Sequence, residues 1–188
     1  MTVQELIQIF KANGDVVYGE AMSVNSHSIQ AGLLAKMQGF SEELQLAAFL
    51  HDIGHLMPEE DESGESQMMG EFGAEQHDVL GAHYLKELGC SPVVVACTKN
   101  HVDAKRYLCF AEKGYYEQLS DASKATLEYQ GGPMSEEEAK AFSSSPFFEA
   151  SIAIRRLDEE AKEGDFQIQN GHWDYFEDLL DIHLNGYN

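Results

Sequence analysis

Imidazole nitrogens and carboxylate oxygens bind first-row metal ions, and a set rich in imidazole with few carboxylates suits iron, zinc or manganese. The chain carries such groups at His27, His51, Asp52, His55, His77, His101 and Asp158. His51 and Asp52 are adjacent, within the stretch HDIGH. Neighbouring helical positions point about 100° apart, so the two side chains share no face, yet both can reach an object lying between their directions. A metal ion is such an object. His55 follows His51 by four residues, which on a helix is the same side. It could add a ligand, but it suits better a place beside a bound anion, next to the ligands. The spacing of the whole set is long, so the ligands must be gathered from several helices, as in dinuclear bundle sites. His83, six residues after His77, points about 240° away round a helix. It is read as structural, like His172 and His183.

The elements that would position these groups are helical. TVQE at 2–5 is a capping-box pattern, followed by Leu6, Ile7 and Phe10 at helical spacing. A second helix is predicted over 25–38, ending at Gly39. A third starts at the cap candidate Ser41 and carries the HDIGH motif before Pro58 stops it. The acidic, glycine-bearing segment 58–73 reads as an exposed loop, either plainly solvated or a lid over the site. A fourth helix is predicted from Ala74 to Leu88, closed by Gly89, and a fifth from Pro92 through VVVACTKNH. SDASKATLEYQ reads as another, stopped by Gly131-Gly132-Pro133, and SEEE at 135–138 is a second capping box. Two more helices are expected over 147–162 and 172–184. The fold class is all-α, one domain over 1–188 with the metal site inside the helical core.

Composition narrows the partners. The net charge is -21 and only 12 residues are Lys or Arg, which excludes a phosphate-neutralising nucleic-acid surface. Four of those cations stand in two adjacent pairs, Lys105-Arg106 and Arg155-Arg156. They are either solvated helix faces or cations reserved for an anionic ligand. No apolar run is long enough to span a bilayer, and the start lacks a basic region followed by an apolar stretch. Cys90, Cys97 and Cys109 have neither disulfide-framework nor zinc spacing, which fits a reducing cytoplasm.

The pattern His27, His51-Asp52, Asp158 resembles the signature of HD-domain metalloproteins, all-α folds that are mostly phosphohydrolases. In that family the aspartate of the HD pair can bridge two metals. His77 in QHDVLGAHYL and His101 in HVDAKRYL resemble the second-metal ligands of its dinuclear members. The resemblance implies His27, His51, Asp52 and Asp158 on one ion, and Asp52, His77 and His101 on the other. Longer stretches, GEA at 19–21, LSDASKATLEYQGGPM and IRRLDEE, are similar to the HD-domain mixed-valence di-iron oxygenases that break down organophosphonates.

That resemblance implies an Fe(II)/Fe(III) pair, O2 as co-substrate, and cleavage of the C–P bond of a 1-hydroxy-2-ammonio-ethylphosphonate. The trimethylammonio form, favoured, gives glycine betaine and phosphate; the primary amine gives glycine and phosphate. His51, Asp52, His77 and His101 are then catalytic as metal ligands. His55, Lys105, Ser123 and Arg155 hold the phosphonate, and Glu20 and Tyr18 face the cationic end. The family pattern places its tyrosine three residues before that acid; here Val17 stands there and Tyr18 is shifted by one. The alternatives are a dinuclear HD phosphohydrolase acting on a phosphomonoester or nucleotide, and a non-catalytic metal-binding HD protein.

Overall fold

The computed structural model describes residues 2–17, 22–57, 69 and 76–186. Tyr18, Glu20 and, apart from Met69, the segment 58–73 lie outside the described residues. Within them the chain is all-α: α1 (Val3–Asn13), α2 (Val24–Met37), α3 (Glu42–Leu50), a 3-10 turn (Ile53–Leu56), α4 (His77–Leu88), α5 (Pro92–Ala111), α6 (Tyr115–Gln118), α7 (Asp121–Tyr129), α8 (Glu136–Ser143), α9 (Phe148–Glu160) and α10 (Asn170–Asn185). No strand occurs among the described residues, and none of their helices is long and apolar enough to cross a membrane.

Local chemistry sets most of these boundaries. Thr2 accepts the Glu5 amide while Glu5 accepts the Thr2 amide, and Ser135 and Glu138 do the same at α8, satisfying donors that helix starts leave open. Pro92 opens α5 and Gly89, at φ +95, closes α4, the positive φ that glycine adopts without a Cβ clash. The apolar faces of α1, α3 and α10 meet in an aromatic stack. Phe49 lies 4.7 Å from Phe10 and 4.2 Å from Phe176, ring centre to ring centre, with Trp173 at the edge. That stack braces α3, whose C-terminal end delivers His51. Around it α2, α3, α5 and α9 pack against one another, and these helices carry most of the site.

Two expectations need correction. The third helix does not run on to Pro58; it ends at Leu50, and HDIGH forms its cap and a 3-10 turn. Asp52 sits at φ -100, ψ 8, a region typical of tight turns and of site residues. The cause is the close passage of this turn against α4. A Cβ on Gly54 would lie 1.8 Å from the His77 carbonyl oxygen, so the backbones meet where a helical side chain has no room. The fourth helix begins at His77, with Gln76 already non-helical; residues 74–75 are outside the described set. The one-turn helix α6 had no periodicity to announce it.

Candidate active site

Six elements converge on one point. His27 comes from the first turn of α2, His51 caps α3, Asp52 opens the 3-10 turn, His77 starts α4, His101 lies midway along α5, and Asp158 sits near the end of α9. His51, His77, His101 and Asp158 are buried; His27 and Asp52 are partly exposed. His27 Nε2 stands 3.2 Å from His51 Nε2 and 3.1 Å from Asp158 Oδ1. Asp52 Oδ2 lies 3.6 Å from His27 Nε2 and 3.3 Å from His51 Nε2. On the other side, Asp52 Oδ1 lies 3.6 Å from His77 Nε2 and 3.4 Å from His101 Nε2, and those two nitrogens are 3.0 Å apart. One carboxylate thus puts one oxygen into each of two donor groups.

The donor chemistry tests whether cations belong there. The Nδ1 atoms of His27, His51 and His101 lie 2.9, 2.7 and 2.7 Å from the carbonyl oxygens of Ala161, Ala48 and Thr98. A carbonyl only accepts, so each Nδ1 carries the proton and each Nε2 presents a lone pair. Lone pairs about 3 Å apart repel unless a positive charge sits between them. Donors each ~2.1 Å from a common ion stand about 3.0 Å apart at a right angle and about 3.4 Å at the tetrahedral angle. Both groups match that spacing. Without a metal the site recruits protons instead. Burial disfavours charge on His51, but Asp52 and Asp158 outweigh it and raise its pKa to about 9. Burial likewise opposes ionisation of Asp52 and Asp158; His51 and the other imidazoles for the first, and Arg155 with the imidazoles for the second, hold both well below the usual carboxylate range.

His55 also lies within reach of Asp52 and His77. Its ring is stacked on His77, centres 4.0 Å apart and planes 16° from parallel. In-plane lone pairs of stacked rings run side by side and do not converge on one ion. The geometry therefore sets His55 beside the donors, on the cavity wall. Burial and then the His77 charge keep its pKa well below that of free histidine.

The cavity beside the donors has a volume of about 110 Å³ and is lined by Lys105, Ser123, Arg155 and His55 together with Thr126, Gln130 and Lys162. The two basic pairs divide cleanly. Lys105 and Arg155 are buried on the cavity wall. Arg106 turns outward to Asp103, Glu138 and the Gly132 carbonyl, and Arg156 to Glu112 and Glu159. Lys105 Nζ donates to Thr126 Oγ1 at 2.9 Å and to the Ser123 carbonyl at 3.4 Å. Burial, reinforced by Arg155, pulls its pKa down to about 7. An anion entering the cavity would draw a proton onto it. Thr126, Gln130 and Lys162 were missed in the sequence. Thr126 and Gln130 follow Ser123 at helical spacing, the signal that could have found them.

The remaining histidines lie elsewhere. His83 is exposed against Tyr84, His172 Nδ1 accepts the Gln169 amide at 3.3 Å, and His183 Nε2 accepts the Ser91 amide at 3.0 Å.

The meeting of His27, His51, Asp52 and Asp158 in an all-α frame is what the resemblance to the HD domain implies. The family model of that description matches residues 24–141, and the protein belongs to the HD-domain family. Arg155 and Asp158 lie beyond the matched stretch. The chain is 35% identical over 185 residues to the 1-hydroxy-2-(trimethylamino)ethylphosphonate dioxygenase (glycine-betaine-forming) of Leisingera caerulea, covering 94% of this chain and 89% of that one. It is 37% identical over 163 residues to the hydroxymethylphosphonate dioxygenase of Gimesia maris, covering 85% and 78%.

Proposed function

We propose that this protein is a cytoplasmic non-heme di-iron oxygenase that cleaves the C–P bond of a 1-hydroxy-2-ammonio-ethylphosphonate. The trimethylammonio form is favoured, with glycine betaine and phosphate as products. The observation that carries the reading is the Asp52 carboxylate, one oxygen in each donor group, beside buried Lys105 and Arg155. The relatives support it. Their names share a hydroxyl-bearing carbon attached to phosphonate and the use of dioxygen, and one of them carries the trimethylamino group.

In this reading His27, His51, Asp52 and Asp158 hold one iron, and Asp52, His77 and His101 the other. The iron pair, when bound, supplies the activation of dioxygen that protein side chains cannot. The chain's own groups bind and orient. Lys105, Arg155, Ser123 and His55 take the phosphonate, with the Arg155 fork matched to its oxygens. Glu20 and Tyr18 are proposed for the cationic end. The atoms balance when one oxygen of O2 ends in the carboxylate and the other in phosphate, with one proton released.

The test is anaerobic reconstitution with ferrous iron, addition of each candidate hydroxyphosphonate, then oxygen. Oxygen uptake matched by phosphate release, with the carboxylate identified by mass spectrometry, is the expected result. Hydrolysis of phosphomonoesters under nitrogen, with no oxygen uptake on any hydroxyphosphonate, would replace this reading with the phosphohydrolase one.

A further inference from the structure

Arg155 is 4% exposed, and a buried guanidinium must be held by partners or it destabilises the fold. Its Nη1 pairs with Asp158, one helical turn along α9. Its Nε donates to Tyr115 Oη at 3.0 Å and to Glu159 Oε1 at 3.2 Å. The Tyr115 hydroxyl in turn donates to Glu159 Oε1. Glu159 is the hub of this group, because its other oxygen also accepts Arg156 Nη1 at 3.4 Å. Arg156 lies over the Tyr115 ring, 5.1 Å from its centre, and is anchored to Glu112. Tyr115 itself is 2% exposed. It is delivered by α6, which the left-handed Gly114 at φ +86 starts immediately after α5. Burial foremost, with the Glu159 carboxylate behind it, raises the Tyr115 pKa against the opposing pull of Arg155, so the hydroxyl keeps its proton and remains a donor.

These contacts use the Nε edge and one Nη1 hydrogen of Arg155. The Nη2 hydrogens have no protein partner among the described residues, and Arg155 lines the cavity. A guanidinium pinned from behind at Nε cannot rotate about its terminal bonds, so its open edge is aimed before any ligand arrives. Such preorganisation lowers the ordering cost of binding.

We propose that Tyr115 and Glu159 are positioning residues that lock the Arg155 guanidinium in the orientation that receives the phosphonate. This rests on the reading of Arg155 as a phosphonate-binding residue, but its test does not require turnover. The probe is inorganic phosphate, titrated calorimetrically into the iron-loaded protein under nitrogen. Tyr115→Phe and Glu159→Ala should each weaken phosphate binding about 5–10-fold, the effect of losing one ordinary hydrogen bond behind the guanidinium while Arg155 itself is kept. Glu159→Gln keeps an acceptor oxygen and should recover binding to within about threefold of the parent. Iron per chain should stay constant in all three, and for a turned-over phosphonate KM should rise while kcat stays within about twofold.

Unchanged phosphate affinity in Tyr115→Phe and Glu159→Ala, with only the thermal midpoint lowered, would overturn the proposal and leave a purely structural role. Parallel loss of iron would also overturn it, because the network would then be serving Asp158. Should Tyr115→Phe fail to fold, the Glu159 pair decides. If the parent binds phosphate but consumes no oxygen with any phosphonate, the oxygenase reading falls while the affinity comparison still decides the positioning role. If the parent binds no phosphate, the positioning role falls with the clamp.

Discussion

Gly54→Ala is the most informative single change to the site, although Gly54 supplies no donor atom and does not line the cavity. The added Cβ would sit 1.8 Å from the His77 carbonyl oxygen, 2.6 Å from its carbon and 2.9 Å from the Gly81 amide nitrogen. All three are backbone atoms, so no side-chain rotation relieves the clash. An ordinary carbon–oxygen approach is about 3.3 Å. The 3-10 turn and the start of α4 must therefore separate by about 1.5 Å, and that start carries His77. Metal–ligand distances tolerate only about 0.2 Å, so the donor group of Asp52 Oδ1, His77 and His101 cannot close on an ion. His27, His51 and Asp158 do not depend on α4 and keep their geometry. On the proposed di-iron reading the expected result is a drop from two irons per chain towards one, with oxygen uptake abolished, and a destabilisation of about 1–3 kcal/mol from overpacking. Iron per chain by elemental analysis, with a denaturant midpoint on the same sample, reads both. Ile53→Val is the control; it trims the same turn by one methylene, costs about 1 kcal/mol, and should leave both irons in place. If Gly54→Ala retains two irons and its activity, the argument that the glycine sets the distance between Asp52 and His77 is wrong.

The other expectations can be checked on the same preparations. Asp52→Asn and His101→Ala should lose iron and with it oxygen uptake by more than about a thousandfold, since the chemistry depends on the metal; normal iron content and turnover in either would remove the assignment. Lys105→Met should raise KM for the phosphonate about tenfold or more, as expected for a lost charged hydrogen bond, while iron per chain stays unchanged; loss of iron would mean that Lys105 supports the metal site.

In the metal-free protein, Lys105 has a folded pKa of about 7, set by burial first and Arg155 second, against an ordinary value of 10.5. The unfolded chain therefore binds more protons between those values. Stability should rise with pH across that window and be lost as pH falls towards 7, by at most about 5 kcal/mol. The denaturant midpoint of Lys105→Met should follow pH less steeply than the parent there; equal slopes would refute the pKa. Phe49→Ala removes the centre of the aromatic stack between Phe10 and Phe176 and should cost about 3–5 kcal/mol, read from the same denaturant curves.

What the sequence made legible, and what it did not, follows from the range of each interaction. Helices with caps and apolar periodicity, such as α1, α5 and α8, are local events, and their signals lie within a few residues. The HDIGH turn looked helical because its local pattern continues that of α3. What breaks it is a non-local contact, the approach of the His77 backbone to Gly54, which no window of the chain contains. Asp52 is able to face two donor groups because that contact puts it outside a helix, at φ -100. The sequence pattern that placed it on a helix misjudged the backbone there. The paired cations show the same limit from the other side. Adjacent positions on a helix point apart, so one member of each pair had to face inward if either did. Which one depends on distant acids, Glu138 for Arg106 and Glu112 for Arg156, that draw the outer member to the surface. Tyr115 was invisible for a third reason. Four residues of helix carry no period, and its partners Arg155 and Glu159 lie about forty positions further along the chain. A site assembled from ligands this far apart is therefore readable as a set of residue types, but its shape is decided where separate backbones touch.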